Sequence, residues 1–287
     1  SPLAVLQFIG VSMAFSQWNS NSTINTPVCV RPYNQREVRL ESDSKGGAIM
    51  SWVDFRNDAS GVLGDIFIQR LNKSGLPMWA ANGVSVCTDA GDQASPSMAD
   101  LGNGSVIVAW NDWRNGIRDI YAQKIDSMGA VKWAVNGISV ITKINEQQDA
   151  KVISDGAGGG IFIWQDFSSG AWDVYAQRVD ASGNLLWATA GVPICSAIES
   201  QINPRVEIDG AGGAIFVWQD KRNGLDYDIY MQHINGAGLV QWSANGVVIC
   251  NAVSTQSNPK IEPDGAGGAF VAWQDKRLSL IHISEPT

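Results

Sequence analysis

Five tryptophans, Trp52, Trp110, Trp164, Trp218 and Trp273, stand 58, 54, 54 and 55 residues apart, each followed two residues later by aspartate. Asp65, Asp119, Asp173 and Asp228 open Asp-Ile/Val-Tyr/Phe segments at spacings of 54, 54 and 55. A second set, Trp79, Trp133, Trp187 and Trp242, keeps the same beat, each four residues after a turn glycine (Gly75, Gly129, Gly183, Gly238). Three landmarks on one period mean that the chain is built from copies of one unit, and that each copy must bury its apolar face against its neighbours.

The unit from Pro204 to Cys250 shows what is repeated. Arg205 to Ile208 reads as a short extended run, and Asp209-Gly-Ala-Gly-Gly213 supplies the positive-φ turn of a tight hairpin. Ala214 to Asp220 is a continuous apolar run of strand length, the pattern of a strand covered on both faces. After a polar loop, Asp228 to Ile234 forms a third strand, turned at Asn235 to Gly238, and Leu239 to Trp242 returns as the fourth. Asn245 to Cys250 is either its continuation or a separate outer strand, and no long stretch has helical periodicity.

Four short strands in about 54 residues cannot cover both faces of their own sheet. The expected architecture is all-β: a β-propeller of four-stranded antiparallel blades, with a linear β-solenoid as runner-up. The units run about 30–92, 93–146, 147–200, 201–255 and an incomplete 256–277, about 4.8 units within residues 17–277. The nine recurrent indoles are expected to pack between sheets rather than stack on a ligand.

Twenty-eight acidic against 20 basic residues give a net charge of −8, which argues against a nucleic-acid partner. At 45% hydrophobic and 17% charged the chain is globular. Leu3 to Phe15 is an apolar run of signal-peptide length, too short to span a bilayer, so residues 1–16 are read as a partial signal peptide and no transmembrane segment is expected. At the other end residues 278–287 (LSLIHISEPT) break the repeat and read as a non-native tail, so the chain is taken for a fragment of a bacterial protein that is secreted or held at the outer cell surface.

Cys87, Cys195 and Cys250 follow the second tryptophan by eight residues, with Ile141 at that place in the second unit and Cys29 in a like position. Free exchange with an apolar residue points to small buried hydrophobes with free thiols.

The segment Asp180-Ala-Ser-Gly-Asn-Leu-Leu-Trp187 resembles the tryptophan-docking repeat of quinoprotein propellers and, more distantly, the Asp-box of sialidase-type propellers. Its Asp stands one residue closer to the Gly, and Asn72 replaces it in the first unit. The whole unit is similar to the repeat of secreted bacterial β-propeller proteins of the type IX secretion kind. That resemblance covers residues 17–277 and implies export.

No hydrolase, zinc or nucleotide motif is present, and Glu37, Glu41, Glu146, Glu199, Glu207 and Glu262 form no recognisable catalytic set beside a tyrosine. The most suggestive constellation is the loop between second and third strands, flanked by two aspartates with an arginine two residues after the first (Arg56, Arg114, Arg222, Arg277). An Asp-Arg clamp is the expected role. The third unit has Ser168 for the arginine, which makes Asp166 and Asp173 the candidates for calcium; no other cofactor is expected.

Trp113, Trp172 and Tyr227 break the repeat in these loops and are the candidate ligand-binding residues, because an aromatic on a loop packs locally or stacks on a ligand such as a sugar. His233 replaces Arg or Lys and reads as an exposed substitution. The expectation is therefore a non-catalytic binding or scaffold module, not an enzyme, with an extracellular glycan or protein as partner. The competing class is a polysaccharide-active enzyme, a glycoside hydrolase or sialidase-like protein, whose catalytic residues lie outside this sequence.

Overall fold

A computed structural model describes residues 25–277 and, for the backbone only, 280–284. The leader read at residues 1–16 lies outside the described residues. Among the described residues every regular element is a β-strand. Among the described residues no helix is long and apolar enough to cross a membrane.

The first sheet has β1 (Gln35–Ser42), β2 (Ala48–Asp54), β3 (Asp65–Leu71) and β4 (Val84–Cys87). The second has β5 (Gln93–Asp100), β6 (Val106–Asp112), β7 (Asp119–Ile125) and β8 (Ile138–Ile141). The third has β9 (Gln147–Ser154), β10 (Gly160–Asp166), β11 (Asp173–Val179) and β12 (Val192–Cys195). The fourth has β13 (Gln201–Ile208), β14 (Ala214–Asp220), β15 (Asp228–Ile234) and β16 (Val247–Cys250), and the fifth β17 (Gln256–Pro263), β18 (Ala269–Asp275) and β19 (Leu280–Ser284). Each sheet is an antiparallel meander in chain order, the blade of a β-propeller. β19 pairs Leu280 with Asp275 and Ser284 with Val271, so part of the decapeptide read as a tail supplies the third strand of the fifth sheet.

The chain parts into two compact units, Ser1–Gly116 with Tyr121–Ile138, and Ile117–Ile120 with Ser139–Thr287. In the first unit β1 and β5 are neighbours, and a core of Ile49, Val53, Ile66, Trp79, Met98, Val106 and Trp110 fills the space between the first two sheets. In the second unit β13 lies between β9 and β17. Ile161, Ile163, Trp187, Phe216 and Trp218 pack between the third and fourth sheets, and Ile215, Val217, Ile261 and Trp273 between the fourth and fifth. β14, with the third sheet on one side and the fifth on the other, is buried at every position, and so are β2, β6 and β10. β18 buries alternate residues only, leaving Phe270 exposed on its other face.

Two readings of the unit are corrected. The first strand begins at Gln201, not Arg205, because a β-bulge at Asn203-Pro204 breaks the pairing register and looks like a turn in the sequence. Leu239 to Trp242 makes only an isolated bridge, Ile234 with Val240; the fourth strand is the separate outer segment Val247–Cys250. Gln232 holds the intervening loop, donating from Nε2 to Ser243 O (2.8 Å) and accepting the Trp242 amide at Oε1 (3.2 Å). Gln69, Gln123 and Gln177 do the same in their own sheets.

Trp52, Trp110, Trp164 and Trp218 are fully buried, Trp79, Trp133, Trp187 and Trp273 nearly so, and Trp242 is half-buried. Trp79 and Trp187 each dock on a turn of the following blade. Trp187 Nε1 donates to Gly236 O (3.2 Å), and Gly238, at φ 83°, lies against the ring so closely that a Cβ there would sit 2.8 Å from Cδ1. Gly238→Ala therefore combines left-handed strain with a steric clash, and we expect a loss of about 2–4 kcal/mol. A fall in Tm of under about 2 °C on thermal scanning would contradict that packing.

Candidate functional site

The loops between second and third strands are organised from a buried carboxylate outward. Asp220, fully buried at the end of β14, accepts Trp218 Nε1 (2.8 Å), Arg222 Nη2 (2.6 Å), Arg222 Nε (2.9 Å) and the Arg222 amide (2.9 Å). Arg222 also donates to Asn245 O (2.7 Å) and to Cys195 Sγ of the preceding sheet (3.3 Å), and covers the Tyr230 ring at 3.8 Å. The same set recurs around Asp112 with Arg114, and around Asp54 with Arg56 except for the Nε bond, Arg56 Nε having no partner among the described residues. Asp54 stays below its usual range although burial opposes it, because Arg56, the Trp52 indole and the Arg56 amide all donate to it.

The four described cysteines are free thiols, as the sequence suggested, but their role as plain hydrophobes needs correcting. Cys29, Cys87 and Cys195 each accept from an arginine and face an aspartate at 3.6–3.9 Å. Burial pushes Cys87 and Cys195 up to about 12, which keeps them protonated and unreactive.

Asp166 and Asp173 face each other across β10 and β11, both buried. The loss of arginine at Ser168 does not leave them uncompensated: Lys143 Nζ lies 3.0 Å from Asp166 Oδ2 and 4.0 Å over the Tyr175 ring. Ile141 and Ser168 thus replace a cysteine and its arginine together, and Lys143 supplies the cation. Among the described residues no group of three potential metal ligands occurs. Since an ammonium already meets Asp166, EDTA should move Tm by less than about 2 °C; a shift above about 10 °C would mean that calcium takes this place instead.

The three loop aromatics separate into two kinds. Trp113 directly follows Asp112, and its amide donates to Asp92 O (3.0 Å). Trp172 and Tyr227 directly precede the next aspartate, and their carbonyls accept the amides of Gln201 (2.6 Å) and Gln256 (2.7 Å), the first residues of β13 and β17. All three are half-buried, and Trp172 leans on Phe167 with ring centres 4.9 Å apart. Gln93, Gln147, Gln201 and Gln256 are fully buried at the heads of β5, β9, β13 and β17. They keep the tryptophan period, a signal present in the sequence.

Just inside those glutamines lies the bulge of each first strand, where residues other than glycine take positive φ: Glu37 (56°), Ser95 (55°), Asp149 (57°), Asn203 (53°) and Asn258 (53°). Left-handed backbone at such side chains is a local cost that the surrounding bonds sustain. In the second unit Asn203 Nδ2 donates to Gln219 Oε1 (2.7 Å), which also accepts the Asn258 amide (2.9 Å), and Asn258 Nδ2 donates to Gln274 Oε1 (2.8 Å). In the first unit the Ser95 amide donates to Glu37 Oε2 (2.6 Å).

Below the bulges, alternate residues of β9, β13 and β17 share one side: Lys151, Arg205 and Lys260, then Ile153, Glu207 and Glu262. Their in-between neighbours, Val152, Val206 and Ile261, face the core. Burial, and then the charge of Glu262, raise Glu207 to about 7. An acid poised there can hold or release a proton near neutrality, with a second carboxylate beside it. Both glutamates fall six residues after the strand-heading glutamine, so the repeat does contain the signal for the pair.

His233 is also not the exposed substitution expected. It is half-buried, with Nε2 2.9 Å from Asp209 Oδ2 and its ring 5.7 Å from that of Trp242. Arg70 and Arg178 meet Asp43 and Asp155 at the same place.

No protein-family model and no curated protein matches this chain. Among solved structures it is similar to a protein of unknown function from Dyadobacter fermentans (TM-score 0.54, 9% identity, covering 86% of this chain and 77% of that one). It is similar also to the α-L-arabinofuranosidase Arb93A from Fusarium graminearum (TM-score 0.52, 12% identity, 88% and 79% covered). An endo-arabinase from Bacteroides thetaiotaomicron aligns at a TM-score of 0.45 and 13% identity, covering 88% and 93%. At such identities the likeness is one of fold. It nevertheless corrects the expectation of a non-catalytic module that is not an enzyme, because a solved structure of like fold is an α-L-arabinofuranosidase.

Proposed function

We propose that the chain is the propeller of a glycoside hydrolase acting on a polysaccharide, with Glu207 as general acid and Glu262 as the partnering carboxylate. The carrying observation is the Glu207 carboxyl, raised to about 7 by burial and by Glu262. Glycosidic cleavage needs one carboxyl that is protonated near neutrality and a second that is ionised, set on either side of the scissile bond. The α-L-arabinofuranosidase of like fold supports a glycoside as the substrate class. Trp172 and Tyr227, whose carbonyls meet the first residues of β13 and β17, and Trp113 in the first unit would stack sugar rings at the opposite end of the strands from these carboxylates.

The repeat's similarity to secreted propellers of the type IX secretion kind supports a bacterial protein exported to the outer surface, where the glycan would be met. The test is release of reducing sugar from a panel of neutral and acidic polysaccharides by the wild type and by Glu207→Gln. Hydrolysis that vanishes with the amide supports the reading; hydrolysis indifferent to it, or none across the panel, overturns it.

A further inference from the structure

One feature of β9, β13 and β17 is not required by acid-base chemistry. Lys151, Arg205 and Lys260 occupy the same position on three adjacent first strands, opposite Ile163, Val217 and Ala272 of their own sheets. Lys151 pairs with Asp149 on its own strand. Arg205 bonds only a backbone carbonyl, Pro204 O at 2.7 Å, and among the described residues neither Arg205 nor Lys260 meets a carboxylate. Arg56, Arg70, Arg114, Arg178 and Arg222, by contrast, each hold an aspartate, whereas Arg39, at the same position of β1, also bonds a backbone carbonyl. Arg205 and Lys260, set between the Asn203 and Asn258 bulges and the Glu207 and Glu262 carboxylates, thus put two cations without a direct ion pair on one side of adjacent strands in a protein of net charge −8.

The geometry points to an acidic polysaccharide as the ligand of this strip, its carboxylate or sulfate groups held by Arg205 and Lys260, with Lys151 extending the row. This deepens the hydrolase reading and rests on it for the site. Arginine offers a planar fork of donors that matches an oxyanion, and lysine a mobile point charge. Asn203 and Asn258, fixed by Gln219 and Gln274, flank the strip with polar groups that a sugar hydroxyl can meet. The bulges turn the strand locally, which re-aims the side chains that follow.

The test is affinity electrophoresis and calorimetry of the full chain with polygalacturonate, a sulfated galactan and neutral arabinan. Binding of one or both polyanions at least about tenfold tighter than of arabinan, weakened about tenfold or more in Arg205→Ala/Lys260→Ala and weakening with added salt, supports the proposal. The Lys221→Ala variant, on a loop outside the strip, should bind as wild type. Preference for polygalacturonate or for the galactan identifies the anion as carboxylate or sulfate. Equal binding of arabinan, unchanged binding by the double variant, or no polyanion binding overturns it. If the double variant does not fold, Arg205→Gln and Lys260→Gln singly carry the same comparison, each expected to lose about threefold or more. Glu207-dependent hydrolysis of arabinan without polyanion preference would sink this inference and leave the hydrolase; polyanion binding without hydrolysis would do the reverse.

Discussion

Asp220→Ala should destabilise the protein by about 3–5 kcal/mol, the cost of removing one partner from a buried ion pair. The carboxylate has no solvent exposure and serves the Trp218 indole, the guanidinium and amide of Arg222 and the thiol of Cys195 together. Its loss strands the indole N–H inside the fourth sheet and frees the arginine that ties that sheet to the end of β12. A drop in Tm of about 6–20 °C should follow. Asp220→Asn keeps an acceptor for the indole and should cost less, about 1–3 kcal/mol. The third sheet is an internal control: Asp166 meets a single lysine nitrogen and a longer indole bond (3.3 Å), so Asp166→Ala should cost less than Asp220→Ala. Chemical denaturation of the three variants checks the order; a loss below about 1 kcal/mol for Asp220→Ala would mean that the clamp is ornamental.

Glu207→Gln should lower kcat/KM by about 10²–10⁴, the range for a lost general acid, with little change in fold. The wild-type rate should fall as pH rises through about 7, where Glu207 gives up its proton. The same shift has a stability consequence of the opposite kind from an ordinary carboxylate. Because the folded state raises Glu207 above its unfolded value, the native protein binds the extra proton between roughly pH 4.5 and 7, and stability falls as pH rises across that window. The glutamine variant, which carries no charge to desolvate, should therefore melt higher than wild type at pH 8 and no higher at pH 4. A wild-type rate that is flat between pH 5 and 9, or a variant less stable at pH 8, would remove Glu207 from the role given it.

Several features of the site stand in the repeat itself, and their reading depended on which positions were compared. The aspartate-arginine pairs and the loop aromatics are visible because they sit beside tryptophans on a 54-residue beat. The strand-heading glutamines share that beat, yet a buried amide has no motif of its own and its importance shows only in the carbonyls it reaches, as Gln201 Nε2 reaches those of Ala197, Ile198 and Glu199. Lys143 could not be assigned from the loop it serves, since it lies 23 residues before Asp166. Asn203-Pro204 misled for a physical reason: the bulge has the composition of a turn while lying within a strand.

The period and the strand lengths determine the blade, because sheets this small with central strands apolar on both faces can be buried only by further copies of themselves. That Glu207 and Glu262 act on each other was decided by tertiary packing. Glu207 and Glu262 are 55 residues apart in the chain and come together because β13 and β17 are neighbours across two sheets, where burial and mutual repulsion set a proton affinity that neither residue has by itself.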